Sequence, residues 1–310
     1  MENVPCPISN SLEFIPCLQV PDRFDSTGKT RWQLVQSCAS GLIMLNPRPD
    51  STEIAFHYRR GQYDPYLHEN SSSSLSERAY LAARSLLLRY RADLILKGAV
   101  KPLRKLSILE IGSSTGELLN FFHCSKAIPF DHLAGVEPDA ESAAYAREVF
   151  GLTVSSSLQN EYAGKFDRIV LWHTLEHIHA INETLHSVAE LLETDGVVVI
   201  ALPNHGCSAA HSYGENWIAW DAPRHLYHFL PGTLAALLER HKLKVFKQQP
   251  YFPDTVYNAF YSEKLQYERV GRPFYILQAG TALCRGMVTL GKEIMWPEEA
   301  SSFIYFARKT

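Results

Sequence analysis

The chain has 310 residues, of which 46% are hydrophobic and 20% are charged, and its formal net charge at pH 7 is -3. These values exclude an intrinsically disordered chain, and the small acidic excess disfavours a protein that works mainly by neutralising nucleic-acid phosphates. The length predicts one large domain with appendages.

The cysteines and the N-terminus give expectations about the protein's surroundings. The 6 cysteines form no C-x-x-C pair, so neither a disulfide framework nor a complete zinc site is predicted. The first residues lack the basic and apolar regions of a signal peptide, which predicts a cytoplasmic protein. The apolar stretch 274–296 is interrupted by Arg285 and Lys292. It predicts an amphipathic helix over a core or pocket, with contact to a membrane surface as the less favoured alternative.

Residues 1–50 are rich in Pro, Ser and Cys and end in the turn Asn46-Pro47-Arg48-Pro49, which predicts a small irregular or β-rich lobe. A connector with Tyr63, Tyr66 and the serine run 71–74 precedes a predicted helix over 75–97. The main domain is therefore expected over 51–310, with an insertion at 251–299 that caps the substrate.

Apolar runs of strand length then alternate with helical segments. Strands are predicted at 106–111, 133–136, 152–154, 168–172, 197–202, 243–248 and 302–307. Helices are predicted at 115–123, 140–149, 175–193 and 231–241. This alternation predicts an α/β, Rossmann-like, doubly wound and mostly parallel sheet of seven strands, with helices on both faces.

A glycine-containing loop follows the first predicted strand of this sheet. Gly112 allows a tight turn past the sheet edge, and Gly116 lets the helix start close to a bound nucleoside. A dinucleotide fingerprint would need glycine where Ser114 and Glu117 stand, which disfavours a pyrophosphate ligand. Glu110, at the strand end, is suited to the cationic amino group of a sulfonium amino acid.

Glu137 lies at the end of the next predicted strand, about twenty residues after the loop. An acid at that position can accept hydrogen bonds from both hydroxyls of a ribose. A solvated carboxylate at a strand end is the alternative reading. The loop and the acid together predict a nucleoside site.

Several stretches in this order resemble the class I S-adenosylmethionine-dependent methyltransferases, in the group that contains quinone-biosynthesis and sugar or natural-product methyltransferases. The stretches are LEIGSSTG, GVEPDA, FDRIVLWHTLEHI, DGVVVIALPN and WDAPRHLYHF. The resemblance implies S-adenosylmethionine as cofactor. It implies that Ser157 and Leu158 lie beside the adenine and that His173 lies near the methionine half. The complete predicted cofactor set is Glu110, Gly112, Ser113, Gly116, Glu137, Pro138, Ser157, Leu158 and His173.

The segment from His173 to His177 matches H-x-x-E-H, a zinc-peptidase pattern that needs both histidines on one helical face. His173 directly follows a predicted strand, so peptidase chemistry is disfavoured. Some quinone methyltransferases have a similar acid-rich motif that supports a divalent metal, but only Glu176 and His177 would be shared. No metal is predicted at this motif.

Methyl transfer to a hydroxyl requires alignment of the reactants, exclusion of water and removal of a proton. Histidine suits the last task because its pKa is near neutral. The predicted catalytic residues are His225, His173 and His177, with His225 as the preferred base and Asp221 as its orienting carboxylate. The alternative is that Arg224 and His225 only tether their loop by hydrogen bonds.

The front lobe resembles the small zinc-binding lobe of relatives, but its ligand pattern is degenerate. Cys6 is followed by Ser9, and Ser37 and Ser40 occupy the other pair of positions. Hydroxyls are poor zinc ligands compared with thiolates, so no zinc is predicted there.

The sequence thus predicts transfer of a methyl group to a small molecule, with a hydroxyl of a sugar, polyketide or quinone-like compound as acceptor. Aromatic residues of the insertion predict an apolar pocket cap or, as an alternative, simple core packing. A homodimer is also expected. The alternative functions are a nicotinamide-dependent oxidoreductase and a non-catalytic cofactor-binding scaffold.

Overall fold

The structure is a computed structural model that describes residues 1–25, 29–58, 75–158 and 166–310, with side chains before residue 84 of the first helix left out. The predicted connector with Tyr63, Tyr66 and serines 71–74 lies outside these ranges. The strands are β1 (Phe14–Pro21), β2 (Arg31–Ser37), β3 (Ile43–Leu45), β4 (Ile108–Ile111), β5 (Leu133–Val136), β6 (Thr153–Ser155), β7 (Phe166–Trp172), β8 (Leu192–Pro203), β9 (Tyr227–His228), β10 (Leu243–Pro250) and β11 (Ser302–Lys309). The helices are α1 (Leu75–Leu96), α2 (Glu117–Lys126), α3 (Ala140–Phe150), α4 (Ile181–Leu191), α5 (Ser208–Tyr213), α6 (Pro231–Arg240), α7 (Pro253–Arg269) and α8 (Ile276–Met295).

Seven strands form one sheet in the order β10-β11-β8-β7-β4-β5-β6. β4 pairs in parallel with both β5 and β7, and β5 pairs in parallel with β6. Every residue of β4, β5 and β7 is buried. Uninterrupted burial is typical of parallel strands whose two faces are both covered. The predicted Rossmann-like sheet of seven mostly parallel strands is confirmed.

The described residues fall into two compact units that interleave along the chain. One unit comprises Met1–Arg59, His173–Glu183 and Ala201–Phe306, and the other comprises Arg60–Trp172, Thr184–Ile200 and Ala307–Thr310. We call them the front unit and the nucleoside unit. They are units of packing, so the predicted domain boundary at residue 50 and the capping insertion at 251–299 stay predictions.

In the nucleoside unit, the residues that flank α2 and α3 determine where these helices begin and end. α2 was predicted from residue 115 but starts at Glu117. Gly116 has a left-handed φ of +78°, so it cannot be part of a right-handed helix. α3 begins after Asp139, whose carboxylate accepts a hydrogen bond from Ser142 N at 2.9 Å. Its C-terminus is capped by the left-handed Gly151.

The front unit contains a four-stranded sheet in the order β1-β2-β3-β9. β1, β2 and β3 are antiparallel neighbours near the N-terminus. β9 completes this sheet from far along the chain, with Ile43 opposite His228 and Met44 opposite Tyr227. The segment that carries His225 is therefore fixed by strands of the front lobe.

The predicted helix over 175–193 is wrong. A short 3-10 helix covers Leu175–His177, α4 covers only Ile181–Leu191, and β8 already begins at Leu192. Leu226 N donates a hydrogen bond to the carbonyl oxygen of Glu176 at 2.8 Å, so a distant segment takes an acceptor that a continuous helix would use. This tertiary hydrogen bond separates the turn at 175–177 from α4.

α8 packs against α7 and buries few of its own residues. Ala282, Gly286 and Glu293 are buried, whereas Ile276 is 91% exposed and Leu277 is 75% exposed. The predicted helix over 274–296 therefore exists, but a large part of its apolar surface is uncovered in this chain. Within the described residues, no helix combines the length and apolarity that crossing a bilayer requires.

We expect Gly116→Ala to destabilise the protein more than Gly151→Ala. Both glycines have left-handed φ, so alanine costs about 1–2 kcal/mol at either position. A Cβ at Gly116 would also lie 2.5 Å from Leu152 Cδ1 and 3.0 Å from Ala146 Cβ, whereas a Cβ at Gly151 meets nothing within 4 Å. Overpacking adds about 1–3 kcal/mol. Urea denaturation measures both losses, and equal losses would contradict the packing argument.

Candidate functional site

The glycine loop turns tightly over the end of β5. The amide groups of Gly112 and Ser113 both donate to Val136 O, at 2.7 Å and 3.1 Å, and Gly116 N donates to Ser113 O at 2.8 Å. Ser114 adopts a left-handed φ of +47°, which is uncommon for a residue with a side chain. Strained backbone of this kind collects at ligand sites, so the loop is a candidate binding element.

Glu137 holds the loop through its carboxylate. Its Oε2 accepts a hydrogen bond from Ser114 N at 2.8 Å, and its Oε1 accepts one from Asp139 N at 2.9 Å. A carboxylate has about four acceptor positions. Each oxygen therefore retains capacity for one further donor. Burial raises the pKa of Glu137, although the two backbone hydrogen bonds oppose this change.

Glu110, on β4, is a buried carboxyl that lacks a complete set of partners. It is 6% exposed, and its Oε2 has no hydrogen-bond partner among the described residues. Burial raises its pKa to about 8, Arg91 opposes this change, and the negative charge of Glu137 adds to it. A buried acid in this condition is stabilised by a cation. It therefore fits the ammonium group of S-adenosylmethionine.

The other predicted cofactor residues differ in burial. Ser113 is buried, with its Oγ unpaired among the described residues and close to the Cα of Gly135, where a Cβ would meet it at 2.6 Å. Pro138 and Ser157 are exposed, and Leu158 is half-buried. Their contacts with a cofactor stay predictions.

His173 belongs to the front unit and has a left-handed φ of +51°. Its Nε2 lies 2.8 Å from Asp254 Oδ2, and its Nδ1 lies 3.6 Å from Glu176 Oε1. Burial alone would lower the pKa of His173, but Asp254 and then Glu176 raise it to about 10. The imidazole is therefore protonated at neutral pH and suits hydrogen-bond donation better than proton acceptance.

His177, His225 and Glu176 form a cluster in the front unit. The two imidazole rings meet edge to face with centroids 4.6 Å apart. His177 Nδ1 lies 3.0 Å from Arg224 O and 3.1 Å from the Tyr58 hydroxyl, and His225 Nδ1 lies 2.8 Å from Ala219 O. Burial lowers the pKa of His225 to about 4, so this ring is neutral at physiological pH.

The loop before His225 is tethered by Arg224, whose side chain is fully buried. Arg224 Nε donates to Asp221 Oδ1 at 2.8 Å, and its Nη2 donates to Asp22 Oδ1 at 2.9 Å. Burial alone would raise the pKa of Asp221, but Arg224 and Arg23 hold it well below its usual range. Arg224 thus has the tethering role that was the alternative reading of this segment, and Asp221 is its partner.

The four positions of the degenerate zinc pattern in the front lobe lie together. Cys6 Sγ is 3.1 Å from Ser40 Oγ, and Ser9 Oγ is 3.4 Å from Ser37 Oγ. Hydrogen bonds between these side chains connect the two halves of the pattern.

A polar groove of about 650 Å³ lies elsewhere in the front unit. Four arginines line it together with Glu215 and Glu263, and these arginines are Arg31, Arg269, Arg272 and Arg285. Arg285 pairs with Glu263 at 2.6 Å, and Arg31 pairs with Glu215. The arginines outnumber the acids, so the groove suits a polar or anionic ligand.

Residues 57–248 match the family model described as a methyltransferase domain. This match covers more than half of the chain. The chain belongs to this methyltransferase family. The predicted class I superfamily, methyltransferase activity and S-adenosylmethionine as cofactor are thereby confirmed, and the oxidoreductase and scaffold alternatives lose their support. No curated protein matches the sequence.

Two similar solved structures come from other methyltransferases. Magnesium protoporphyrin IX methyltransferase from Synechocystis PCC 6803, solved with bound SAH, has 10% identity and a TM-score of 0.51 over 84% of this chain and 100% of that chain. A putative sarcosine dimethylglycine methyltransferase from Galdieria sulphuraria has 14% identity and a TM-score of 0.45 over 80% of this chain and 91% of that chain. At 10% identity, the likeness to the Synechocystis enzyme concerns the fold alone.

Sequence reasoning missed Asp254 and Asp22 as partners of site residues and gave Glu176 no role of its own. Asp254 lies in the insertion, 81 positions from His173, and nothing in the local pattern links the two. Glu176 was considered in H-x-x-E-H only as one of two residues shared with a metal-supporting motif, and no metal was predicted there.

We expect Glu110→Gln to flatten the pH dependence of stability. The pKa of Glu110 is raised from 4.5 to about 8, so between these values the native protein keeps a proton that the unfolded chain releases. Wild-type stability therefore falls as pH rises through this window, by up to about 1.4 kcal/mol per pH unit from this group. Urea denaturation from pH 5 to 8 measures the effect.

The matched control for this experiment is Glu148→Gln, which removes an exposed carboxyl on α3. Its stability profile is expected to run parallel to that of the wild type. If the Glu110→Gln profile is also parallel, Glu110 does not carry the raised pKa.

Proposed function

We propose that this protein transfers a methyl group from S-adenosylmethionine to a hydroxyl oxygen of a small molecule. The observation that carries the proposal is the pair of carboxyls at the ends of adjacent strands, the buried Glu110 in β4 and the loop-bound Glu137 after β5. One is suited to a cation and the other to a pair of hydroxyl donors, and S-adenosylmethionine offers an ammonium group and a ribose.

The nucleoside unit supplies the cofactor contacts in this proposal. Glu137 accepts the ribose hydroxyls with the acceptor positions that Ser114 N and Asp139 N leave open. Glu110 accepts the ammonium group. Gly112, Ser113 and Gly116 let the chain pass close to the nucleoside, and Pro138, Ser157 and Leu158 border it. The bound sulfonium supplies an electrophilic methyl group.

The front unit supplies the histidines that were predicted to be catalytic. His173 is held protonated by Asp254 and Glu176, so in our proposal it donates a hydrogen bond and does not act as the base. His225 is neutral, but the space that it lines with Glu176 is too narrow to hold a water molecule. This closure disfavours His225 as the base for an acceptor hydroxyl. A different role for His177 and His225 is developed below.

The acceptor in this proposal is a sugar, polyketide or quinone-like compound. The arginines of the polar groove favour an acceptor with several oxygens or an anionic group over a purely apolar one. Among the aromatic residues of the insertion, Tyr267 lines this groove and also contacts Phe274 at a centroid distance of 5.8 Å, which supports a pocket lining for that residue. A cytoplasmic location and a homodimer stay predictions.

We expect Glu137→Ala to weaken binding of S-adenosylhomocysteine by about 10- to 100-fold for each ribose hydrogen bond that is lost. Isothermal titration calorimetry on the full chain measures this change, with NAD titrated in parallel. Asp131→Asn, an exposed acid of the same unit, is the control and should bind like wild type. Unchanged affinity in Glu137→Ala, or preferential binding of NAD, would overturn the proposed cofactor site.

We also expect binding of S-adenosylhomocysteine at pH 7 to release close to one proton. In the free protein Glu110 is mostly protonated because its pKa is about 8, and an ammonium beside it favours the carboxylate. Titrations in buffers of different ionisation enthalpy count the protons. Glu110→Gln should bind more weakly and release none. Equal proton release by the wild type and this variant would remove Glu110 from the ammonium site.

A further inference from the structure

The carboxylate of Glu176 is buried, and in the described part of the chain its charge is balanced only by an ion pair with His173 that is not a hydrogen bond. Glu176 is 1% exposed, and neither carboxylate oxygen has a hydrogen-bond partner among the described residues. The cationic His173 Nδ1 lies 3.6 Å away, which is too long for a hydrogen bond. Buried charges in proteins are paired, hydrogen-bonded or bound to a metal. Glu176 therefore has one ion-pair partner, His173, and its carboxylate oxygens keep acceptor positions that a further cation can use.

The two neighbouring imidazoles are oriented by backbone carbonyls. His177 Nδ1 faces Arg224 O at 3.0 Å, and His225 Nδ1 faces Ala219 O at 2.8 Å. A carbonyl oxygen can only accept, so Nδ1 carries the proton in both rings, and Nε2 is the ring nitrogen left to bind a metal ion. This arrangement is the one that metal-binding histidines adopt, with the second ring nitrogen donating to a backbone carbonyl.

We propose that Glu176, His177 and His225 bind a divalent transition-metal ion, with zinc as the first choice. One potential ligand atom of each side chain lies within 4.8 Å of the other two. Zinc with Zn–N bonds of about 2.0–2.1 Å holds neighbouring ligand atoms about 3.3 Å apart, so small side-chain rotations bring the three ligand atoms onto one ion, and the second oxygen of Glu176 can supply the fourth ligand atom. Two imidazoles and one carboxylate are ligands that suit zinc.

The ligands of this site come from two segments of the front unit. Glu176 and His177 lie in the turn Leu175–His177, and His225 lies in the loop after Asp221. The ion therefore ties these two segments together, alongside the hydrogen bond from Leu226 N to Glu176 O. This ligand set differs from H-x-x-E-H, because His173 is engaged by Asp254 and His225 takes its place.

The first test uses the wild-type full chain after chelator treatment and removal of the chelator. Titration with Zn²⁺ should reach one ion per chain by native mass spectrometry and should raise Tm. Titration with Co²⁺ should give visible absorption bands of a low-symmetry site without the ultraviolet charge-transfer band of a thiolate ligand. Failure to bind one ion of either metal, or a thiolate band from Cys6, would overturn the proposal.

The second test uses variants of the ligands. Glu176→Gln and His225→Gln should each lose at least about 100-fold in Zn²⁺ affinity, since loss of a ligand exceeds the 10- to 100-fold cost of outer-shell changes. His186→Gln, on exposed α4 surface, and Cys6→Ser should bind like wild type. Retained affinity in His225→Gln, or loss in Cys6→Ser, would contradict the proposed ligands.

Circular dichroism must show that each ligand variant is folded, and the cobalt spectrum of the wild type tests the site without any substitution. The proposal is independent of methyl transfer. Glu137→Ala should bind zinc normally, and His225→Gln should retain binding of S-adenosylhomocysteine, so failure of one proposal leaves the other intact.

Discussion

Arg224 is fully buried, and its guanidinium remains charged there because Asp221 and Asp22 both bind it. Removing one partner of such a buried group costs about 3–5 kcal/mol, because the remaining charge is left uncompensated. The same residue offers its carbonyl to His177, and its guanidinium also donates to His57 O at 3.0 Å. Arg224 thus connects Asp22 of the front lobe to the loop after Asp221, and its carbonyl orients His177.

The nucleoside unit solves a different electrostatic problem. Glu110 lies in β4 and Glu137 directly follows the neighbouring β5, and the charge of Glu137 contributes to the raised pKa of Glu110. Glu137 is stabilised by two backbone amides, whereas Glu110 has a carboxylate oxygen with no described partner. Glu110 is therefore the carboxyl of this unit that a cationic ligand would stabilise. Binding of such a ligand is coupled to loss of the proton of Glu110.

The H-x-x-E-H segment shows how neighbours in sequence acquire separate roles. His173, which directly follows β7, forms an ion pair with Asp254, and this pair raises the pKa of His173 so that the imidazole stays protonated. His177 turns to the carbonyl of Arg224 and meets His225 instead. Glu176 lies between them with its carboxylate unpaired by hydrogen bonds among the described residues. The H-x-x-E-H pattern is typical of a metal site on a helix. In this structure the segment forms a turn, and its side chains belong to two different clusters.

The sequence by itself determined the order of strands and helices in the nucleoside unit, because buried parallel strands are continuous apolar runs and Gly112, Gly116 and Glu137 follow them at fixed spacing. It also determined the methyltransferase family. Only the tertiary structure decided that the segment 175–193 is not one helix and that β9 joins the front lobe. It also brought Asp254, Asp22 and His225 to their partners. The physical reason is that hydrogen bonds and ion pairs between distant segments leave no periodic signal in the sequence.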